Sequence, residues 1–285
     1  MVELLIIGKN GQLGSAFVTE AKKRKLKFKA YSHQELDISN SSHLQTIIKV
    51  KPKIVINTSA YHILPECEKN PEEAFLVNAI SVGELAKYSR KVNARFVTYS
   101  TNYVFDGNKK TPYREYDRPN PLQMYGLSKL AGEYAAINEH DKGAYIIRTC
   151  GVYGKGEEGS RSKGGNYILK ILQEASKTEK IFASKKQIAN PTYAKDLVIG
   201  TLDLLDLNAP PGIYHLVNEG EYSWYDFAKA IVSLKKLKIK IVVREDKTSY
   251  KRPLYSALGN YKAKYYGVIL PKFTESLKEY LDELK

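Results

Sequence analysis

The sequence predicts an α/β protein: a doubly wound parallel sheet followed by a smaller C-terminal domain. Three observations carry this. Over the first half, short runs rich in Val and Ile alternate with helical stretches. A turn with glycines at Gly8, Gly11 and Gly14 joins the first such run to the first helix. After about Gly151 the alternation gives way to Gly-rich and irregular segments. Apolar strands alternating with helices imply a parallel sheet covered on both faces, with right-handed crossovers.

Each element can be justified in order. "VELLIIG" (2–8) is an apolar strand, and a helix runs from Gly11 to about Arg24. "FKAYS" (28–32) is the second strand, and "SSHLQTIIKV" (41–50) a short helix that two serines could cap. "KIVINTS" (53–59) is the third strand. Pro71 opens one long helix, "PEEAFLVNAISVGELAKYSRKV", in the first turn where proline is tolerated. "RFVTYST" (95–101), a helix over 125–140 and "AYIIRT" (144–149) complete a Rossmann-type domain over residues 1–150. Residues 151–285 form a smaller substrate-binding domain. It opens on "YGKGEEGSRSKGGNY" (153–167), which reads as a mobile loop. Helices near 166–176, at 223–234 and at 272–284, with strands "GIYHLVN" (212–218) and "KIKIVV" (238–243), follow. The 187–206 stretch is expected to pack back on the first domain.

Composition narrows the function classes. No apolar run is long enough to span a bilayer, so no membrane role is expected. Cys67 and Cys150 make no disulfide framework, which points to a reducing cytoplasm. The five histidines are scattered without metal-ligand spacing, so no metal is expected. The formal charge of +14 is spread along the chain, with only short clusters such as "KKRKLKFK" at 22–29. That distribution fits a lysine-rich surface attracting an anionic small molecule better than it fits nucleic acid.

"IIGKNGQLG" follows the first strand and opens the first helix. Glycines there let backbone N–H groups approach a pyrophosphate at a helix N-terminus. The loop therefore nominates Gly8, Asn10, Gly11, Gln12, Leu13 and Gly14 as cofactor-binding. At the end of the second strand, Ser32 and His33 stand where a NAD enzyme often has a carboxylate. Nothing there would repel a 2′-phosphate, and Lys9 is close. NADP(H) is therefore favoured, with NAD(H) left open. In "LDIS", Asp37, with Ile38 beside it, is a candidate for adenine contact; capping the next helix is the alternative for the aspartate.

The chemistry points to one pair. In "MYGLSKLAGEYAA", Tyr125 and Lys129 lie about one helical turn apart and share a face. A free phenol titrates near 10, and a neighbouring cation lowers that value. Thr101 closes the fourth strand, at the carboxyl edge where α/β sheets bind ligands. A hydroxyl, a phenol and an ammonium converging there would serve carbonyl reduction: Thr101 binds the substrate oxygen, Tyr125 delivers the proton and Lys129 holds the nicotinamide ribose. With 22 tyrosines in the chain, a Tyr/Lys pair alone would be unremarkable. The combination with the glycine loop and the strand end is what makes it a site.

A resemblance runs through nearly the whole chain. It is carried by "GKNGQLG" (8–14), "ELDIS" (35–39), "VINTSAY" (55–61), "STNYVFDG" (100–107), "PLQMYGLSKLAGE" (121–133), "IIRTCGVYG" (146–154) and "NPTYAKDL" (190–197). "GIYHLVNEGEYSWYDFAKAI" (212–231) and "KRPLYSAL" (251–258) extend it. The chain resembles the extended short-chain dehydrogenase/reductases, and within them the dTDP-4-dehydrorhamnose reductases. The resemblance implies NAD(P)H-dependent reduction of the 4-keto group of a dTDP-linked deoxyhexose, with Thr101, Tyr125 and Lys129 as the catalytic trio. It places Thr58, Ser59, Ala60 and Tyr61 beside the cofactor, and Thr101, Asn102 and Arg252 at the sugar nucleotide. A homodimer is compatible with it.

Three departures stand out. Asn102 replaces a usual Asp, Gly151 a frequent Trp, and Tyr255 a common Asn. A 4,6-dehydratase is argued against, because "STNYVF" lacks the carboxylates that dehydration needs. The alternatives kept are a nucleotide-sugar epimerase and an NADP-binding regulatory subunit similar to the β subunit of methionine adenosyltransferase.

Overall fold

A computed structural model describes residues 1–156, 166–244 and 249–284. Five strands of the first half, β1 (Leu4–Ile7), β2 (Phe28–Tyr31), β3 (Ile54–Asn57), β4 (Arg95–Thr101) and β5 (Ala144–Thr149), share one sheet with Gly212–His215. All neighbours are parallel, in the order β2-β1-β3-β4-β5 and then Gly212–His215. The strand order reverses between β1 and β3. In doubly wound sheets a crevice opens at that point, outside the carboxyl ends of the strands.

Both faces of the sheet are covered, as its near-continuous apolar strands require. Leu4 and Ile6 of β1 point to one face, where they join Phe17 and Ala21 of the Gln12–Lys23 helix and Leu197, Val198, Leu202 and Leu205 of the Ala194–Asp206 helix. Leu5 and Ile7 point to the other, with Ile47, Val82, Leu85 and Ala136 from three further helices. Residues 194–206 thus pack against the first helix. The Gly212–His215 strand, expected in the smaller domain, is instead the sixth strand of the sheet, in register with Tyr145–Arg148. Its apolar run suits any buried strand, so nothing local says which sheet it joins.

The second lobe has its own core, in which Ile168, Ile181, Phe227, Ile231, Phe273 and Tyr280 are buried together. Its small sheet pairs Lys180–Ala183 with Lys240–Val243. Ser223 caps the Trp224–Leu234 helix through a reciprocal bond with Asp226. Of the loop expected at 153–167, residues 157–165 lie outside the described residues.

Two helix readings change. The helix expected at 41–50 begins only at Gln45. Asn40 Oδ1 accepts from both the backbone N–H and the hydroxyl of Ser42, so that serine is held in a turn and caps nothing. The helix opened by Pro71 contains a π-helical stretch at Leu76–Ile80. π-bulges of this kind often accompany functional sites.

Candidate active site

The glycine loop is built for close backbone approach. Gly8 has φ +89°, a left-handed conformation that favours glycine. A Cβ on Gly14 would lie 2.1 Å from the Gly8 carbonyl oxygen, so only glycine lets the helix start this close to β1. No side chain caps the Gln12–Lys23 helix, and no acidic residue sits in its first turn. Its N–H groups and positive end are therefore available to a phosphate. Asn10 Oδ1 and Gln12 Oε1 are buried acceptors without a hydrogen-bond partner. Buried polar atoms are normally satisfied, so these fit a ligand's hydroxyls. The residues present therefore suit a dinucleotide.

Thr58, Ser59, Ala60 and Tyr61 leave the carboxyl end of β3 beside this loop. Thr58 Oγ1 donates to the Ile7 carbonyl at 2.7 Å, and the Ser59 N–H to Asn57 Oδ1 at 3.0 Å. Tyr61 is clamped by Asn78, which accepts from its N–H at 2.9 Å and donates to its carbonyl at 2.7 Å. Asn78 lies in the π-helical stretch and also donates to Ser128 Oγ at 3.0 Å. One asparagine thereby ties the loop after β3 to the Met124–Glu139 helix. Asparagine is unfavourable inside a helix, and "LVNAI" carried that signal.

Thr101 ends β4 and is buried. Its hydroxyl accepts from the Tyr103 N–H at 3.1 Å and donates to Asn102 Oδ1 at 3.2 Å. Tyr125 is the second residue of the Met124–Glu139 helix, whose N-terminus Gln123 caps at 2.8 Å. Gly126 has no room for a side chain, because a Cβ would meet the Tyr103 carbonyl oxygen at 2.1 Å. That glycine lets the helix seat against the turn after Thr101, which brings the Tyr125 phenol up to the Thr101 hydroxyl. Lys129 follows one turn later and is only 4% exposed.

The electrostatics differ from the sequence expectation, in which Lys129 lowers the phenol. Burial is the larger influence and raises Tyr125 above its ordinary value, with the Thr101 hydroxyl opposing it. Burial also pushes Lys129 down to about 8, opposed by the Glu133 charge. Loss of water disfavours both charged forms. Behind the lysine lies a buried ion pair: Arg148 Nη2 meets Glu133 Oε2 at 2.6 Å, and Arg148 Nε also donates to that carboxylate. Ser100 donates to Glu133 as well.

The remaining nominated residues are placed as follows. Asn102 spends its amide within the protein, with Nδ2 donating to Ser256 Oγ at 2.7 Å. Asp37 Oδ1 accepts from the N–H and hydroxyl of Ser39, and Ile38 is buried in the core beneath. Arg252 lies against Tyr250, whose hydroxyl it reaches at 2.7 Å. The sequence reading missed Glu35, which returns to the end of β2. Its carboxylate accepts from the Ser32 N–H at 2.7 Å and pairs with Lys9 at 2.7 Å. A carboxylate does therefore stand beside the end of β2, two residues beyond the position inspected, because the turn folds back. Cys67 and Cys150 are free thiols. No described helix is long and apolar enough to cross a membrane. Among the described residues no group of three or more His, Cys, Asp or Glu could hold a metal.

A family model described as the RmlD substrate binding domain matches residues 2–285. The chain is 33% identical to the spore coat polysaccharide biosynthesis protein SpsK of Bacillus subtilis (strain 168), over 99% of this chain and 98% of that protein. It is likewise 33% identical to the dTDP-4-dehydrorhamnose reductase of Escherichia coli (strain K12), with the same coverage. The crystal structure of the dTDP-4-dehydrorhamnose reductase of Bacillus anthracis in complex with NADP superposes with a TM-score of 0.92 at 31% identity, covering 99% of this chain and 100% of that one. A doubly wound sheet, a glycine loop at its switch point and a whole-length match lead to one conclusion: the chain belongs to the dTDP-4-dehydrorhamnose reductase family.

Proposed function

We propose that this chain reduces the 4-keto group of dTDP-4-dehydrorhamnose to give dTDP-rhamnose, using NADPH or NADH. What supports the reading is the Tyr125 phenol lying at the Thr101 hydroxyl, at the carboxyl end of β4, with Lys129 buried one helical turn on, in a chain related along its whole length to reductases of that name. When bound, the reduced nicotinamide supplies the hydride. The loop at Gly8–Gly14 and residues 58–61 hold the dinucleotide. Tyr125 is kept protonated by burial and gives its proton to the substrate oxygen as charge develops there. The Thr101 hydroxyl and the Lys129 ammonium stabilise the phenolate left behind. Arg252 is assigned to the sugar nucleotide's phosphates, and Asn102 joins the loop after β4 to Ser256 on the substrate-binding side.

In the same reading the lobe built around Phe227 and Phe273 binds the sugar nucleotide. Cytoplasmic placement suits two free thiols, and a homodimer is to be checked by light scattering. The deciding experiment is oxidation of NADPH by dTDP-4-dehydrorhamnose, with the sugar product identified. Dinucleotide binding without any turnover of that sugar would overturn the reductase reading in favour of a regulatory subunit.

A further inference from the structure

We propose that Arg148 is a positioning residue for the reduction: it holds the Glu133 carboxylate away from Lys129, and so leaves that ammonium free for the nicotinamide ribose and the Tyr125 phenol. This rests on the dinucleotide site of the proposed function. Tyr125, Lys129 and Glu133 follow one another at four-residue intervals along the Met124–Glu139 helix and share a face. Lys129 and Glu133 are 4% and 2% exposed. A lysine and a glutamate at that spacing ordinarily attract each other, and more strongly away from water. Here they form no ion pair. Among the described residues the Lys129 ammonium has neither a hydrogen-bond partner nor a carboxylate in contact.

The reason is a better-shaped competitor. Arg148 on β5 stands in register with Ser100 on β4, and both side chains reach the Glu133 carboxylate. Arg148 Nη2 and Nε donate to it at 2.6 and 2.9 Å, and the Ser100 hydroxyl donates to Oε1. A guanidinium fork matches a carboxylate in a way that an ammonium does not. The fork is itself fixed: Nη1 reaches the Glu115 carbonyl at 3.5 Å, and the guanidinium carbon lies 5.2 Å from the centre of the Phe105 ring. Glu133 is thus turned to the sheet, yet its charge still acts on Lys129 and opposes the lowering by burial. The other titratable groups at this face are Tyr125 itself, Tyr103, and the thiols of Cys67 and Cys150, all of which bear on the phenol. Burial keeps both thiols protonated, at about 11 and about 12. Glu68 is engaged at the helix start by the Met124 N–H at 2.8 Å. Glu133 is therefore the carboxylate that could capture the ammonium.

The test is calorimetric binding of NADPH to the full chain without sugar, on the acid side of the lysine's titration. The pH profile of sugar-dependent oxidation and urea unfolding are measured beside it. Arg148→Met frees Glu133 to close on Lys129, and NADPH should then bind about tenfold more weakly. The alkaline limb, at about 8 in the wild type, should move up by about one pH unit, because an adjacent carboxylate favours the ammonium. Arg148→Lys keeps the charge but loses the fork, and should weaken NADPH by about threefold. Combining Arg148→Met with Glu133→Gln should return NADPH to within about threefold of wild type and take the limb back to its wild-type position or below. A merely structural pair would lower the urea midpoint and leave affinity and limb in place. That result overturns the inference, as does a double variant that binds no better than Arg148→Met. Should Arg148→Met fail to fold, Arg148→Lys decides, with unchanged NADPH affinity as the overturning result. A wild-type chain that does not bind NADPH overturns the proposed function itself, and this inference with it.

Discussion

Tyr125 and Lys129 meet the demands of proton transfer through burial more than through mutual attraction. The phenol stays protonated because its anion would be poorly solvated, so it begins the reaction as a donor. Tyr125→Phe should reduce sugar-dependent NADPH oxidation by about 10²-fold or more, the scale of a general acid, with calorimetric NADPH affinity nearly unchanged. Retention of most activity would reassign the acid. The lysine titrates near 8, on the side where burial opposes its charge. It is cationic below that value and neutral above it. The reduction rate should therefore fall as pH rises through about 8, and Lys129→Met should lose that limb. A flat alkaline profile in the wild type would remove Lys129 from the charge-stabilising role. Arg148 and Glu133 behind it are both almost fully buried. Arg148→Met leaves a buried carboxylate without its cation, which should cost about 3–5 kcal/mol in urea unfolding. The double variant with Glu133→Gln should recover part of that; no recovery would mean that the two side chains are not coupled.

At the scale of elements, the site depends on how closely two helices, Gln12–Lys23 and Met124–Glu139, approach their neighbours. Gly14, Gly126 and Gly132 each stand where a Cβ would lie 2.0–2.1 Å from a backbone oxygen. At Gly132 that oxygen belongs to Asn78, inside the π-helical stretch that clamps Tyr61. Gly132→Ala must push the two helices apart, and overpacking of this kind typically costs about 1–3 kcal/mol. The expected outcome is a lower melting temperature together with weaker NADPH binding, since the loop at residues 58–61 loses its anchor. Unchanged NADPH affinity in a destabilised variant would show that the π-helical stretch has no bearing on the cofactor.

For the whole molecule, polar contacts buried between the lobes hold the site together. Asp196 accepts from Asn218 and Ser276, while Asn218 Oδ1 accepts from the Tyr193 N–H at 2.7 Å. His215, on the sheet strand supplied by the second half, is fully buried and bonds to the Tyr113 carbonyl at 3.1 Å. Burial, helped by the nearby Arg148 charge, lowers its pKa from 6.5 to about 3. Between those values the unfolded chain binds a proton that the folded chain refuses. This contribution to stability is present above about pH 6.5 and is lost progressively as pH falls toward 3. Urea midpoints should drop over that range, and His215→Gln should flatten the drop. An equally steep dependence in that variant would assign the acid sensitivity to other groups.

Much of this was legible along the chain, because it depends on local patterns. Strand–helix alternation, the glycine spacing and the one-turn separation of Tyr125 from Lys129 are short-range features, and each governs structure within a few residues. Strand order, the sixth strand and the partners of buried charges depend on distant segments meeting, which periodicity does not encode. Glu35 shows the difference: its sequence position missed the end of β2, and a turn brought its carboxylate back beside Lys9. The balance of charge at the site also came from folding, since water excluded by packing, more than any neighbour in the helix, moves the phenol and the amine.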